Sequence, residues 1–495
     1  MTAAVVETHS STLFFVDDRV YKRKKPLDLG FSDFRSREAR REGCRAEVAL
    51  NQRLSPDVYL GVADVLDVDG VPCDHLVVMR RMPSERRLAR LVREGEDVTE
   101  VLQQVATQLA DLHRRSPAPA RLRGVASAGA LARLWAEGLD ALRAFEDLVP
   151  EEVRESTRAL ALQWLAGRGP LLDARVAQGR LHDGHGDLLA DDIFALPDGP
   201  RVLDCLEFAE QLRVCDGVAD AAFLAMDLER LGAPGAARLF LDAYEQAAGD
   251  DPPYALEELY LGYRAHIRSK VSCIRARQTG EQETALLARE LADLALAHLR
   301  RAQVRLVLVG GLPGSGKTTV ADGLAMVAGW LHLSSDLTRK RLAGTPAHQH
   351  GTHAFEAGLY APDMTARTYE ALLVDARAAL QSGQSVVLDA SFVDERWRGQ
   401  ARALAEQTHA ELLELRCTSP ASLARTRIVA RTGAPSDATP EVRDAMAAVA
   451  APWPQATTLD TSAPVDETLR VAVALVGLQA RPDLVPLGRG SRDRP

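Results

Sequence analysis

Eight consecutive residues, Gly311-Leu312-Pro313-Gly314-Ser315-Gly316-Lys317-Thr318, have the types and spacing to hold the phosphates of a nucleoside triphosphate. Glycines let backbone N–H groups curl around an anion, and a helix starting near Lys317 points its positive end at it. In this Gly-x4-Gly-Lys-Thr arrangement, the Walker A pattern, Lys317 reaches the β- and γ-phosphates and the Thr318 hydroxyl ligates Mg²⁺. Pro313 and Thr319 complete the set expected to line the nucleotide.

Further chemistry-bearing residues lie downstream. Ser385 to Asp389 is an apolar strand ending in a carboxylate, which suits Asp389 to hold a Mg²⁺ water shell, to orient the acceptor or to cap a following helix. Leu333-Ser334-Ser335-Asp336 ends another strand, on the rim where open α/β sheets bind ligands. Asp336 there can take a proton from an acceptor hydroxyl, with Arg339 nearby for an anion. Arg427 and Arg431 are four residues apart on a predicted helix, so they share a face and can close over a transferring phosphoryl group. The loop Thr432 to Ala438 then reads as a lid.

A second cluster lies earlier. His185-Gly186-Asp187-Leu188 is a polar turn whose Asp187 can present a general base to a hydroxyl. Asp204 follows the apolar run Val202-Leu203 and supplies another carboxylate. Asp216, Asp220, Asp227 and Glu229 form an acidic stretch that reads as the solvated face of a helix. The basic stretch Tyr260 to Arg277 reads as a surface or interdomain helix, or as an edge for an anionic substrate.

Two kinds of element must position these groups. Thr12–Val16 and Arg19–Lys24 read as a β-hairpin around Asp17-Asp18, followed by a helix over 35–54 with Ser36 at its N-cap. Val62 to Met82 gives another strand pair, and helices dominate from Val98 to Ala302 apart from short strands over 180–204. From Val304 onward, apolar runs alternate with helical stretches, which implies a doubly wound parallel sheet. The reading is therefore α/β multi-domain. It has a β-rich small lobe (about 1–82), a helical lobe (about 83–300) and a P-loop domain (301–480). Residues 481–495 form a Gly/Pro/Arg-rich tail expected to be disordered.

Composition sets limits on partners. Sixty basic against sixty-nine acidic residues give a net charge of −9, and residues 304–480 hold 16 Lys/Arg against 18 Asp/Glu. Neither balance favours a surface that tracks nucleic acid. Six scattered cysteines without a C-x-x-C pair, and no membrane-length apolar run, predict a cytoplasmic protein with reduced thiols. The sequence says nothing about oligomeric state.

The P-loop segment resembles the small P-loop kinases that look like gluconate, shikimate and polynucleotide 5′-hydroxyl kinases. The carrying residues are the Walker A loop, Ser335-Asp336-x-x-Arg339-Lys340, Val387 to Phe392, and Arg427-x-x-x-Arg431. Residues 10–300 resemble the aminoglycoside phosphotransferase family, part of the protein-kinase-like group. That resemblance implies a two-lobe α+β fold, Asp187 as catalytic base and Asp204 as metal ligand. It also implies that Glu47 pairs with a strand lysine, either Lys22 or Lys24, and that Met79 to Met82 is the hinge beside adenine. The family pattern His-Gly-Asp-x-His-x-x-Asn is altered here to Leu189 and Asp192. Asp192 then either strengthens Mg²⁺ binding with Asp204 or marks a site that has lost its usual chemistry. The Asp17-Asp18 turn also replaces a glycine-rich phosphate loop.

The tandem order resembles bacterial proteins that fuse an aminoglycoside phosphotransferase-like domain to an AAA_33-type, gluconate-kinase-like P-loop domain. The implied activity is ATP- and Mg²⁺-dependent phosphorylation of a small-molecule hydroxyl. The alternatives are a nucleotide-controlled regulatory protein with ATPase activity and a polynucleotide 5′-hydroxyl kinase.

Overall fold

A computed structural model describes residues 4–7, 11–28, 33–346, 361–430 and 438–478. The chain divides into two compact units. One comprises 1–161, 172–252 and 256–299; the other comprises 300–495 with 162–171 and 253–255.

The first unit opens on five antiparallel strands: β1 (Ala4–Glu7), β2 (Ser11–Val16), β3 (Arg19–Lys24), β4 (Tyr59–Leu66) and β5 (Pro72–Arg80). They lie in the order β1-β2-β3-β5-β4. The helix Arg37–Asn51 connects β3 to β4, and the Ser36 hydroxyl caps it by accepting the Ala39 N–H at 3.1 Å. Val20, Lys22 and Lys24 alternate onto the strand face that meets this helix, where Val20, Cys44, Val48 and Val77 form the core. Two lysines on a buried face require carboxylate partners, and the helix supplies one.

Helices make up most of the remainder of this unit. Pro234 opens the helix Pro234–Ala248 at its first turn, where its missing N–H costs nothing. Short strands interrupt them: β6 (Leu181–Asp183), β7 (Ile193–Leu196), β8 (Gly199–Val202) and β9 (Val214–Asp216). β6 pairs with β9, and β7 with β8, so the turn 184–192 is held between two small ladders. A β-sheet lobe carrying one helix, followed by a helical lobe with these ladders, is the protein-kinase-like arrangement.

The second unit has a wholly parallel sheet of β10 (Arg305–Gly310), β11 (Leu331–Ser334), β12 (Val386–Asp389), β13 (Glu411–Thr418) and β14 (Thr457–Asp460). Their order is β11-β12-β10-β13-β14. β10, β11, β12 and β13 are legible as apolar runs; β14, Thr-Thr-Leu-Asp, is an edge strand with one buried residue and escapes such a search. Ser334 and Asp389 pair across β11 and β12, which brings the carboxyl ends of those strands, and Asp336 just beyond, to one edge. No described helix is long and apolar enough to cross a membrane, and all six cysteines are free.

Candidate active sites

In the first unit Glu47, fully buried, receives both lysines, one on each oxygen. Lys22 Nζ lies 2.9 Å from Oε1 and Lys24 Nζ lies 2.8 Å from Oε2. The lysines then diverge: Lys22 reaches Asp204 Oδ1 at 2.6 Å, and Lys24 reaches Glu207 Oε1 at 2.5 Å. Lys22 thus faces the half-exposed Asp204, whereas Lys24 lies inside, 2% exposed, over the Phe34 ring. Burial works against the Lys22 ammonium, but Asp204 and Glu47 outweigh it and hold its pKa well above the usual lysine value. Burial likewise pushes Glu47 up, and the two ammoniums more than reverse it.

These positions predict different outcomes for the two lysines. If Lys22 receives a nucleotide phosphate, Lys22→Met is expected to weaken nucleotide binding in this unit about tenfold or more, because a charge-assisted contact of about 1.5–3 kcal/mol is lost. Lys24→Met is expected to lower stability by about 3–5 kcal/mol by leaving buried carboxylates unpaired. Nucleotide titration and chemical denaturation of both variants distinguish these effects; equal behaviour would contradict the assignment.

Asp187 sits in the turn between β6 and β7 with its side chain a third exposed and Arg268 Nη1 3.7 Å away. Burial raises its pKa, with Arg268 and His185 pulling the other way. Asp192 is raised much further, by burial and by the charges of Asp204 and Asp187. Asp204 is lowered, chiefly by Lys22, and its backbone is left-handed at φ 64°. Asp tolerates that region better than most residues, and such strain gathers where a side chain must be aimed. His185 is buried, its Nε2 donating to the Leu203 carbonyl at 3.0 Å, and burial keeps the ring neutral; it is a structural part of the turn.

The acidic stretch 216–229 is not a solvated face. Asp216, Asp220 and Asp227 are 2%, 0% and 3% exposed. Buried carboxylates need hydrogen-bond donors, and the site's own backbone supplies them. Asp220, on the helix Gly217–Arg230, accepts the N–H groups of His185 (2.7 Å) and Gly186 (2.8 Å) and the His113 ring at 3.0 Å. Asp227 accepts the Ala190 N–H at 3.0 Å. A side chain at Gly184 would collide with the Asp220 carboxylate. These residues clamp the turn that carries Asp187, and sequence reading missed them because charge periodicity alone cannot tell a clamp from a wet surface. Asp220→Asn is expected to cost about 3–5 kcal/mol of stability and to loosen the turn. Thermal melts and amide exchange at His185 and Gly186 check it; unchanged protection would contradict the clamp.

In the second unit, β10 runs into the glycine loop, and the helix Lys317–Ala328 starts at Lys317. Gly314 has φ 78°, and a side chain there would strike the Ala424 carbonyl, so only glycine fits. Thr318 and Thr319 are exposed on the helix's first turn. Arg427 Nη2 donates to the Thr461 carbonyl at 2.7 Å, and Thr461 Oγ1 donates to the Ser315 carbonyl at 2.7 Å. Arg427 is thereby anchored beside the loop; Arg431 and residues 432–437 of the expected lid lie outside the described residues.

A cavity of about 400 Å³ adjoins the loop and brings Pro313, Lys317, Asp336, Arg339, Tyr369 and Trp397 together. Arg339 Nη1 lies 2.7 Å from Asp336 Oδ1. Tyr369 stacks on Trp397 at 4.8 Å and accepts the Phe392 N–H at 3.0 Å. This aromatic floor was not anticipated, since isolated aromatics in helices read as core.

The donor sets can be tested for Mg²⁺. Asp389 is 2% exposed, yet its Oδ1 has no hydrogen-bond partner, while His332 Nε2 lies 3.6 Å from Oδ2. An orphaned buried carboxylate oxygen at the strand end, with the Thr318 hydroxyl on the adjoining helix, fits a hard cation. In the first unit Asp192 and Asp204 also offer oxygens, and the raised Asp192 would be relieved by a cation. Among the described residues no group of three or more His, Cys, Asp or Glu is placed to hold a metal alone. Phosphate oxygens would have to complete either shell, as is usual for Mg²⁺ with nucleotides.

Comparison with known proteins bears on the whole chain. Uncharacterized protein Rv2004c of Mycobacterium tuberculosis H37Rv is 40% identical over 466 residues, covering 94% of this chain and 93% of that protein. The chain belongs to its family. The AAA_33 family model, described as an AAA domain, matches residues 306–453. Among solved structures, a sugar kinase from Janibacter is 21% identical over 35% of this chain and 95% of its own (TM-score 0.27). A choline kinase from Cryptosporidium parvum is 13% identical over 61% of this chain and 88% of its own (TM-score 0.40). Likenesses this slight add nothing to the two sites, which stand on their own geometry.

Proposed function

We propose that this protein is an ATP-dependent phosphotransferase with two phosphoryl-transfer sites, each acting on the hydroxyl of a small molecule. The observation that carries this reading is the cavity in which Lys317 of the phosphate loop, Asp336 and Arg339 meet. Lys317 and the loop N–H groups hold and neutralise the terminal phosphates. Asp336 accepts the acceptor's proton, Arg339 orients an anionic part of it, and Arg427, with Arg431, closes over the transferring group. Mg²⁺, held by Thr318 and Asp389, supplies charge neutralisation when bound.

In the first unit Lys22, fixed by Glu47, receives phosphate, and Asp187 accepts the proton of a second hydroxyl. The ion pair of Lys22 with Glu47 at 2.9 Å supports this reading, since kinase sites fix a phosphate-binding lysine on a helix glutamate. Asp192 and Asp204 would hold the cation there, and that added carboxylate compensates for the missing glycine-rich loop by binding metal more strongly.

The test is stoichiometry: ATP consumed against phosphorylated product formed over a panel of sugars, hydroxy acids and amino alcohols. One product per ATP supports transfer. Steady ATP loss with no phosphorylated acceptor would instead favour a nucleotide-controlled regulatory protein, and labelling of a DNA 5′-hydroxyl in preference to the panel would favour a polynucleotide kinase.

A further inference from the structure

A second, larger cavity of about 680 Å³ opens beside Asp187 and lies wholly within the first unit. One wall is the helix Tyr254–Thr279, which turns two adjacent rows toward it. Tyr260, Arg264, Arg268 and Val271 form one row; Tyr263, Ile267, Lys270 and Ile274 form the other, at the i, i+3, i+4 spacing of a helix face. Tyr260 and Arg264 are buried, so the stretch expected at the surface is internal over its first part and exposed only from Val271 onward. Leu131, Leu134 and Phe208 add apolar surface to the lining.

The charges decide what such a space accepts. Each carboxylate in the lining already faces an arginine. Asp216 is bridged by Arg175 at 2.7 Å, Asp187 faces Arg268 at 3.7 Å, and Asp28 faces Arg35 at 3.5 Å. Arg264 is spent on the Ala219 carbonyl (2.7 Å) and lies over the Phe223 ring (4.1 Å). Lys270, between Ile267 and Ile274, has no carboxylate partner among the described residues. A cationic acceptor would meet Arg264, Arg268 and Lys270 with no carboxylate to spare. An anion would complete Lys270, and the apolar walls need a body to cover them.

We propose that the cavity beside Asp187 binds a hydroxy-carboxylic acid with an extended apolar body, its carboxylate on Lys270 and its hydroxyl delivered to Asp187. This deepens the kinase reading of the first unit and rests on it for the transfer step. In that step the acceptor oxygen bonds to the γ-phosphorus of ATP as its O–H proton passes to Asp187. The bond from the γ-phosphorus to the bridging oxygen breaks, and ADP leaves.

The test uses the full chain and a series of ω-hydroxy fatty acids of graded length, with the matching neutral diols and kanamycin as controls. Binding is measured calorimetrically without nucleotide, then phosphorylation with ATP and Mg²⁺. At least one acid should bind tenfold or more tightly than its diol, and kanamycin should not compete. Lys270→Glu should abolish that preference, and Val271→Asp, a half-exposed lining position, should weaken binding tenfold, with nucleotide affinity and melting temperature unchanged for both. If no acid of any length binds better than its diol, or if Lys270→Glu leaves the preference intact, the inference is overturned. An acid that binds as stated but is never phosphorylated upholds the cavity and removes the transfer reading. Asp187-dependent phosphorylation of a neutral or cationic acceptor instead upholds the transfer reading and removes the inference.

Discussion

Lys317→Ala is expected to lower phosphoryl transfer at the P-loop site by about 100- to 1000-fold, the scale seen when one preorganised electrostatic contact to a developing charge is removed. The lysine opens the helix Lys317–Ala328 and lines the cavity beside the loop with Asp336 and Arg339; Arg339 is held by Asp336 at 2.7 Å, so the lysine's charge is not directly replaced. Nucleotide binding should fall as well, because the ground-state phosphates lose the same contact. The fold should be unaffected, since the side chain lines a cavity and is not part of the buried core. Steady-state rates with a saturating acceptor check this, and unaltered transfer would mean that the glycine loop does not hold the reacting nucleotide.

Asp187→Asn should abolish transfer at the first site by about 100- to 10,000-fold, the range of general-base catalysis, while leaving the P-loop site at its full rate. Amide for carboxylate keeps the volume and removes the proton acceptor, so nucleotide affinity should barely move. The raised pKa of Asp187 adds a second readout. The base must be ionised to act, so activity falls as pH drops through that raised value, at a higher pH than for an ordinary aspartate. Arg268→Gln removes a charge that pulls the pKa down, and the acid limb should move to still higher pH. A limb that stays put would show that Asp187 is not the titrating base.

The residues proposed for both sites stand out in the sequence because their chemistry is local. The phosphate loop is eight contiguous residues between a strand and a helix, the Asp187 turn is a contiguous polar His-Gly-Asp, and Asp204 ends a short apolar run. The hairpin, the Ser36 cap and the parallel sheet followed from periodicity and capping. What could not be read depends on side chains meeting across the fold. Lys22 and Lys24 share a strand face, and only the positions of Asp204 and Glu207 separate their roles. Asp220 looks like a solvated helical charge until two backbone N–H groups are found on it. Tyr369 and Trp397 are 28 residues apart in number and stacked in space, and nothing in either local sequence announces the contact.

The central claim is that two sites transfer phosphate to different small hydroxyls. The most direct measurement is mass spectrometry of a metabolite pool incubated with ATP, Mg²⁺ and wild type, Lys317→Ala or Asp187→Ala. Products one phosphoryl group heavier than their precursors are expected, falling into two sets, one missing with Lys317→Ala and the other with Asp187→Ala. A pool in which no compound gains a phosphoryl group, or in which one variant erases every product and the other none, would contradict it.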